Sequence, residues 1–405
     1  MAALVLGLAL LVSACGIGPT GGGGGTTSTP TPKPTATATP VPCTTWRIVS
    51  SPNTASPPYN SLSAVATFSP TNAWAVGGSF TDGGPARSLI EQWDGTSWHI
   101  TSSPGIDGLN AVAALSASDV WAVGSLINHQ PRPSTLIEHW NGTQWSIVTS
   151  PNPGPLSDTL NAVVAIAASD VWAVGESVTG NNATQPLILR WNGTKWQVVS
   201  SAVPAGATAS HFNAITRIAG TSQLWAVGSV RIGPPPTGAL GYFQPLIERW
   251  DGTAWQIIAS PALPAGAFAG ELKGVVALST TDAWAVGDYT ARDHTNHTFI
   301  AHWDGSAWKM ATSPDGMGTL SSVAASNSHD VRAVGYLMSD EGSRRQPLIE
   351  RWDGTAWQVM TSPEPTGSRI TSLNGITTDS AGNFWVVGSW TGADRVSKTL
   401  TLHCL

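Results

Sequence analysis

An all-β fold is predicted by three observations: a composition poor in charge and rich in turn formers, a W-A-V-G element present in seven copies, and a paired-tryptophan hairpin present in six. Only 11% of the 405 residues are charged, where ordinary globular domains carry about 25%. Gly (43), Pro (29) and Trp (20) are abundant, a mixture that suits short strands and tight turns better than helices. The net charge is −6 with no basic run. The electrostatic footprint of a nucleic-acid binder is missing, so no nucleic acid is expected among the partners.

The repeat carries most of the prediction. One unit reads as LNAVVAIAASDVWAVGES, a variable stretch, then PLILRWNGTKWQVVSS. The W-A-V-G element is centred on Trp74, Trp121, Trp172, Trp225, Trp284, Arg332 and Trp385, 47 to 59 residues apart. The hairpin W-[DN]-G-[ST]-x-W supplies Trp93/Trp98, Trp140/Trp145, Trp191/Trp196, Trp250/Trp255, Trp303/Trp308 and Trp352/Trp357. Each unit therefore divides into four short strands: L-N-A-V-x-A, V-W-A-V-G, P-L-I-E-R-W and W-x-I-V. Asp-Gly or Asn-Gly between apolar runs is the signal of a two-residue type I′ hairpin. In that register Trp93 faces Thr96 and Glu91 faces Trp98, which sets the two indoles diagonally on one face. Turns of the Ser118-Asp119 and Ser169-Asp170 kind join strands one and two.

A four-stranded sheet of some 50 residues cannot bury both faces by itself, but a radial arrangement lets each sheet cover its neighbours. The chain ends favour the radial solution over an open solenoid. Leu400 to Cys404 aligns with a third strand, and the fourth strand it lacks is supplied by Cys43 to Pro52, which matches G-T-A-W-Q-I-I-A-S-P. The expected architecture is a seven-bladed β-propeller of four-stranded antiparallel blades, residues 43–405, with the N-terminal strand completing the last blade. In this alignment Cys404 occupies a tryptophan position and Cys43 a turn-glycine position, close enough to bridge. A Cys43–Cys404 disulfide is expected.

The first 15 residues, MAALVLGLALLVSAC, form an apolar run too short to span a bilayer and shaped like a secretory leader. Val12-Ser13-Ala14-Cys15 resembles the bacterial lipobox, which implies lipid attachment at Cys15. Residues 16–42 hold almost nothing that could be buried and read as a disordered Gly/Thr/Pro-rich tether. The expected location is extracytoplasmic, at the cell surface or in the periplasm, with the membrane reached through the lipid anchor only.

The motifs D-V-W-A-V-G and W-D-G-T-x-W resemble the repeats of secreted bacterial propellers, in the company of kelch, galactose-oxidase-like and BNR (Asp-box) propellers. The resemblance covers residues 43 to 405 and implies the fold; propellers host enzymes, lectins and scaffolds alike. The turn differs from the Asp-box S-x-D-x-G-x-T-W because Asp and Gly are adjacent here, so sialidase activity is not carried over. A sialidase-like site would also want an arginine triad and an acid-assisted tyrosine, and only Tyr59, Tyr242, Tyr289 and Tyr336 are present; copper chemistry of the galactose-oxidase kind is not implied either, since the sequence holds no Tyr/His cluster at suggestive spacing. No cofactor and no metal are expected, and no catalytic residue is assigned; His294 and His297 beside Asp293 read as a surface loop. Glu91, Glu138, Glu248 and Glu350 recur two residues before a tryptophan, a repetition that suits blade packing better than catalysis.

Two sets of candidate positions remain. The variable loops all fall between strands two and three or between strand four and the next unit, on one side of the sheets, where binding residues concentrate. Arg231, Tyr242, Phe243, Arg344, Arg345, Trp390 and Arg395 lie there. The second set is a ring at the start of each innermost strand: Ser63, Asn110, Asn161, Asn213, Lys273, Ser321 and Asn374, either lining a channel or hydrogen-bonding between blades. The expected function is non-enzymatic binding or scaffolding by a monomer that presents its loop face to a protein or glycan. The competing reading is a propeller hydrolase or lyase acting on a carbohydrate in the channel funnel. Titratable residues of different blades converging at the loop side would favour the second.

Overall fold

The computed structural model of the protein describes residues 43–54, 59–81, 86–127, 132–233, 242–314, 316–339 and 344–404. The expected leader, Cys15 and the 16–42 tether lie outside the described residues. Those described contain 28 strands and no helix. Five antiparallel sheets of four strands, here sheets one to five, span 59–100, 109–147, 157–198, 207–257 and 269–311. Sheet six (318–360) and sheet seven (370–404) are linked by one parallel bridge between Arg345 and Ile370. The outer strand of sheet seven is Trp46–Val49, antiparallel to Ser397–Cys404 with Trp46 opposite Cys404 and Val49 opposite Thr401. The disulfide joins Cys43 to Cys404 with a Cα–Cα distance of 5.7 Å.

The hairpin register differs from the sequence expectation. Trp93 lies opposite Trp98 and Glu91 opposite Ile100, so the indoles are direct partners across a four-residue loop, with ring centroids 5.8 Å apart. The reason is the aspartate. Asp94 Oδ1 accepts from the amides of Thr96 and Ser97 at 2.8 and 2.9 Å, a side-chain-capped turn. Only Gly95 takes positive φ, at 98°, whereas a type I′ turn needs it at both central residues. The same tryptophan-to-tryptophan register holds in the other five hairpins. The turn between strands one and two is also shifted by one residue: Ser116 pairs with Asp119, so Ala117 and Ser118 form it.

That register explains the tryptophans. The second-strand indole of each sheet packs on the indole pair of the following one, as Trp225 does on Trp303 (5.2 Å) and Trp308 (5.3 Å). Trp74, Trp121, Trp172 and Trp284 repeat this on sheets two, three, four and six. Trp385 of sheet seven does it on Trp93 (4.9 Å) and Trp98 (5.1 Å) of sheet one. Between sheets six and seven the arrangement changes. Fully buried Arg332 replaces the indole, and its guanidinium donates to Asp330, to the Cys43 carbonyl (2.8 Å) and to the disulfide sulfurs.

The recurrent glutamates cross the same junctions. Glu91 accepts from Ser51 (2.8 Å), Glu138 from Ser103 (2.8 Å), Glu248 from Ser201 (2.8 Å) and Glu350 from Ser313 (2.8 Å), each serine belonging to the preceding sheet. All four glutamates are fully buried. Burial pushes Glu91 up to about 8, against the opposing Ser51 bond, and Glu248 up to about 7.

Candidate functional site

Each first strand contains a β-bulge, and the extra residue is the ring position: the register skips between Leu160 and Ala162, Phe212 and Ala214, Leu272 and Gly274, and likewise in the other sheets. A bulge re-aims the side chain it carries. Here it sends Asn110, Asn161, Asn213 and Asn374 into hydrogen bonds of 2.8 to 2.9 Å with the carbonyls of Leu160, Phe212, Leu272 and Leu62, each on the next sheet, with sheet seven reaching sheet one. The glycine of W-A-V-G faces this bulge, and a Cβ at Gly228 would collide with the His211 carbonyl oxygen. Ser63 and Ser321 hold the ring position in sheets one and six.

Lys273 departs from the pattern and leads to the site. Its Nζ contacts Asp288 and lies 3.8 Å from Glu271. Glu271 in turn accepts from His211 Nε2 at 2.9 Å and Asn213 Nδ2 at 2.7 Å. His211 and Asn213 belong to sheet four, and Glu271, Lys273 and Asp288 to sheet five, so charged groups of two sheets converge. Burial alone would raise Glu271, but the His211 bond, the Lys273 charge and the Asn213 bond outweigh it and hold the carboxyl near 2. Burial would likewise lower Lys273, and the charges of Asp288 and Glu271 reverse this and keep the ammonium protonated above its ordinary range.

His211, Glu271 and Asp288 line a cavity of about 1210 Å³ on the loop side of sheets four and five. Its other walls include Arg231, Tyr242, Phe243, Phe268, Arg292 and His294. The Tyr242 ring meets Phe268 edge-on at 5.1 Å, and Phe268 meets His294 at 5.6 Å. Arg231 donates to Thr208 (3.1 Å) and lies over the Phe243 ring. Arg292 has no hydrogen-bond or ion-pair partner among the described residues.

Of the loop-face candidates, Arg231, Tyr242 and Phe243 are thus brought together. Arg345 lines a neighbouring, smaller cavity. Arg344 is paired with Glu364 at 3.0 Å, Trp390 lies beneath Lys398, and Arg395 sits in a turn with φ 59°; none of these three lines either cavity. His297 stacks on Tyr289 (5.2 Å) while His294 faces the large cavity. Sequence reading missed His211, Glu271 and Asp288. The signal for the first two was a column across the repeats: the residue two before the ring position is Ser61, Gly108, Thr159, His211, Glu271, Thr319 and Ser372, charged or titratable only in units four and five.

Similar architectures exist among solved structures. YCF48 bound to a D1 peptide superposes with a TM-score of 0.53 at 15% identity, over 89% of this chain and 96% of that one. A polysaccharide lyase of family PL25, an ulvan lyase bound to -[GlcA(1-4)Rha3S]-, gives 0.52 at 9% identity, over 81% of this chain and 89% of that one. The fold is a β-propeller. A GH74 xyloglucanase from Xanthomonas campestris gives 0.51 at 12% identity, over 88% of this chain and 55% of that one, so this propeller spans about half of that enzyme. No protein-family model and no curated protein matches the chain. Binding proteins and carbohydrate-active enzymes both occur among the structural neighbours, and the likeness is one of fold alone.

Proposed function

We propose that this chain is a non-enzymatic surface binding protein: a closed ring of seven blades, lipid-anchored through Cys15 and the 16–42 segment at an extracytoplasmic membrane face, that takes a glycan on the loop side of blades four and five. The anchor is supported by Val12-Ser13-Ala14-Cys15, and the ring by Trp385 on Trp93 together with Asn374 on the Leu62 carbonyl. The observation that carries the binding reading is the large cavity, where aromatic rings and an unengaged arginine stand open while the acids and the lysine occupy one another. General acid–base catalysis works best with groups that titrate near the working pH. Glu271 near 2 and Lys273 above its ordinary range act as fixed charges that shape the wall.

The test is a glycan array probed with the wild-type protein and with Tyr242→Ala/Arg231→Ala. Capture by the wild type and its loss in the variant, with unchanged far-UV circular dichroism, is the expected result. No capture, or equal capture by both, removes the reading.

One observation favours a second reading, a carbohydrate hydrolase or lyase. His211, Glu271 and Lys273 do converge from two blades. Release of reducing ends or unsaturated sugar from a bound polysaccharide, abolished by His211→Gln, would establish it over the first.

A further inference from the structure

The large cavity borders a second one that reaches sheet six. His294 and Asn296 line it and also line the second cavity, of about 380 Å³, whose other walls include Thr319, Tyr336, Met338 and Arg345. His294 is thus common to the walls of both. It is held there in a tight turn closed by His294 N to the Ala291 carbonyl (3.0 Å), with φ 65°, a conformation uncommon for a residue with a side chain. A ligand filling both hollows has to pass His294, which suits an extended molecule better than a compact one.

Charge selects further. The protein carries a net charge of −6, yet the uncommitted charges along this path are positive. Arg292 has no partner, Arg231 has no carboxylate partner, and Arg345 rests on the Tyr336 ring at 4.5 Å without one, all among the described residues. The acids are taken: Glu271 by His211 and Asn213, Asp288 by Lys273, and Asp293 by the amide and hydroxyl of Thr295. Arginine's planar fork matches carboxylates two bonds at a time. The aromatic rings of Tyr242, Phe243 and Phe268 line the cavity and offer apolar surface of the kind that the C–H face of a pyranose ring covers, and binding sites of this kind combine such surface with a few placed polar groups.

We infer that the two cavities form one groove for an acidic oligosaccharide whose carboxylates meet Arg231 and Arg292 on one side of His294 and Arg345 on the other. This rests on the binding reading above and adds the ligand class and its extent. The experiment is calorimetric titration of the full-length protein with tetragalacturonate, its methyl ester, digalacturonate and penta-aspartate, beside an array of acidic and neutral glycans. Tetragalacturonate is expected to bind at least about tenfold more tightly than its ester, the scale of one lost anchor contact. Arg345→Gln is expected to weaken the tetramer about tenfold and leave the dimer unchanged, whereas Arg292→Gln weakens both. Equal affinity for acid and ester, an Arg345→Gln variant that binds the tetramer as well as wild type, penta-aspartate binding as tightly as tetragalacturonate, or an array that captures neutral glycans alone would each overturn the inference and leave glycan or surface binding standing. An empty array together with no heat from any ligand would remove the binding reading as well.

Discussion

The junction between sheets six and seven solves with different groups the problem that the other six solve with indoles. Elsewhere one tryptophan meets a tryptophan pair of the next sheet, as Trp284 meets Trp352 and Trp357 at 4.9 and 5.2 Å. At the exceptional junction the pair is reduced to Trp46, because Cys404 holds the other position and is bonded to Cys43. A third indole would lose its partner there. Arg332 fills the space with a flat guanidinium that stacks on Phe384 at 4.2 Å while binding Asp330, a carbonyl and two sulfurs. A buried cation is tolerable only when so fully engaged. Aromatic packing and a covalent staple are therefore alternative ways of holding neighbouring sheets together, and each dictates which residue fits opposite.

The strongest way to break this comparison is to empty an indole junction. Trp225→Ala removes the centre of a cluster with Trp303 and Trp308 and is expected to cost about 3–5 kcal/mol in denaturant unfolding; a loss below that of the cysteine variant would show that the indoles are not the principal adhesive. Next comes Cys43→Ser with Cys404→Ser, expected to cost about 2–4 kcal/mol under oxidising conditions and nothing more once a reductant is present. A double-serine protein as stable as the oxidised wild type would mean that Arg332 and its hydrogen bonds suffice.

A third test sharpens the comparison by pH. Glu91 spans the junction of sheets seven and one, and its carboxyl is raised from 4.5 to about 8 by burial, against the Ser51 bond. The folded state thus keeps a proton that the unfolded chain releases, so stability falls as pH rises from about 4.5 to about 8. Glu91→Gln has no such proton to lose. It is expected to match wild type below pH 4.5 and to exceed it by a margin that grows as pH rises to about 8, read from thermal or urea melts across that range. A variant with the same pH slope as wild type would assign the slope to other groups.

Much of the fold could be read in the chain because each signal is repeated: seven W-A-V-G elements and six paired tryptophans leave little freedom for strand order. What repetition does not encode is local competition. Asp94-Gly95 satisfies the rule for a two-residue hairpin, yet Asp94 lowers its energy further by capping two amides, and the loop lengthens. The bulge at the ring position leaves no compositional mark, because Asn161 and its equivalents look like ordinary strand residues until Gly175 is seen opposite Leu160. For the site, Arg231, Tyr242 and Phe243 stood out through loop irregularity. His211 and Glu271 sit inside regular strands, and only their contrast with Ser61, Gly108 and Thr159 at the same repeat position gives them away.

Sheet seven draws its outer strand from Trp46–Val49 and its last inner partner from Ser397–Cys404. A chain emerging from its amino end must therefore carry four residues of strand without a mate until Ser397–Cys404 has been made, and an unmatched edge invites pairing with other chains. Cys43 meets Cys404 across a sequence separation of 361 residues, so native oxidation waits until Cys404 has been made. The covalent bond then acts as a record that the first and the last strand of the described sheets have met.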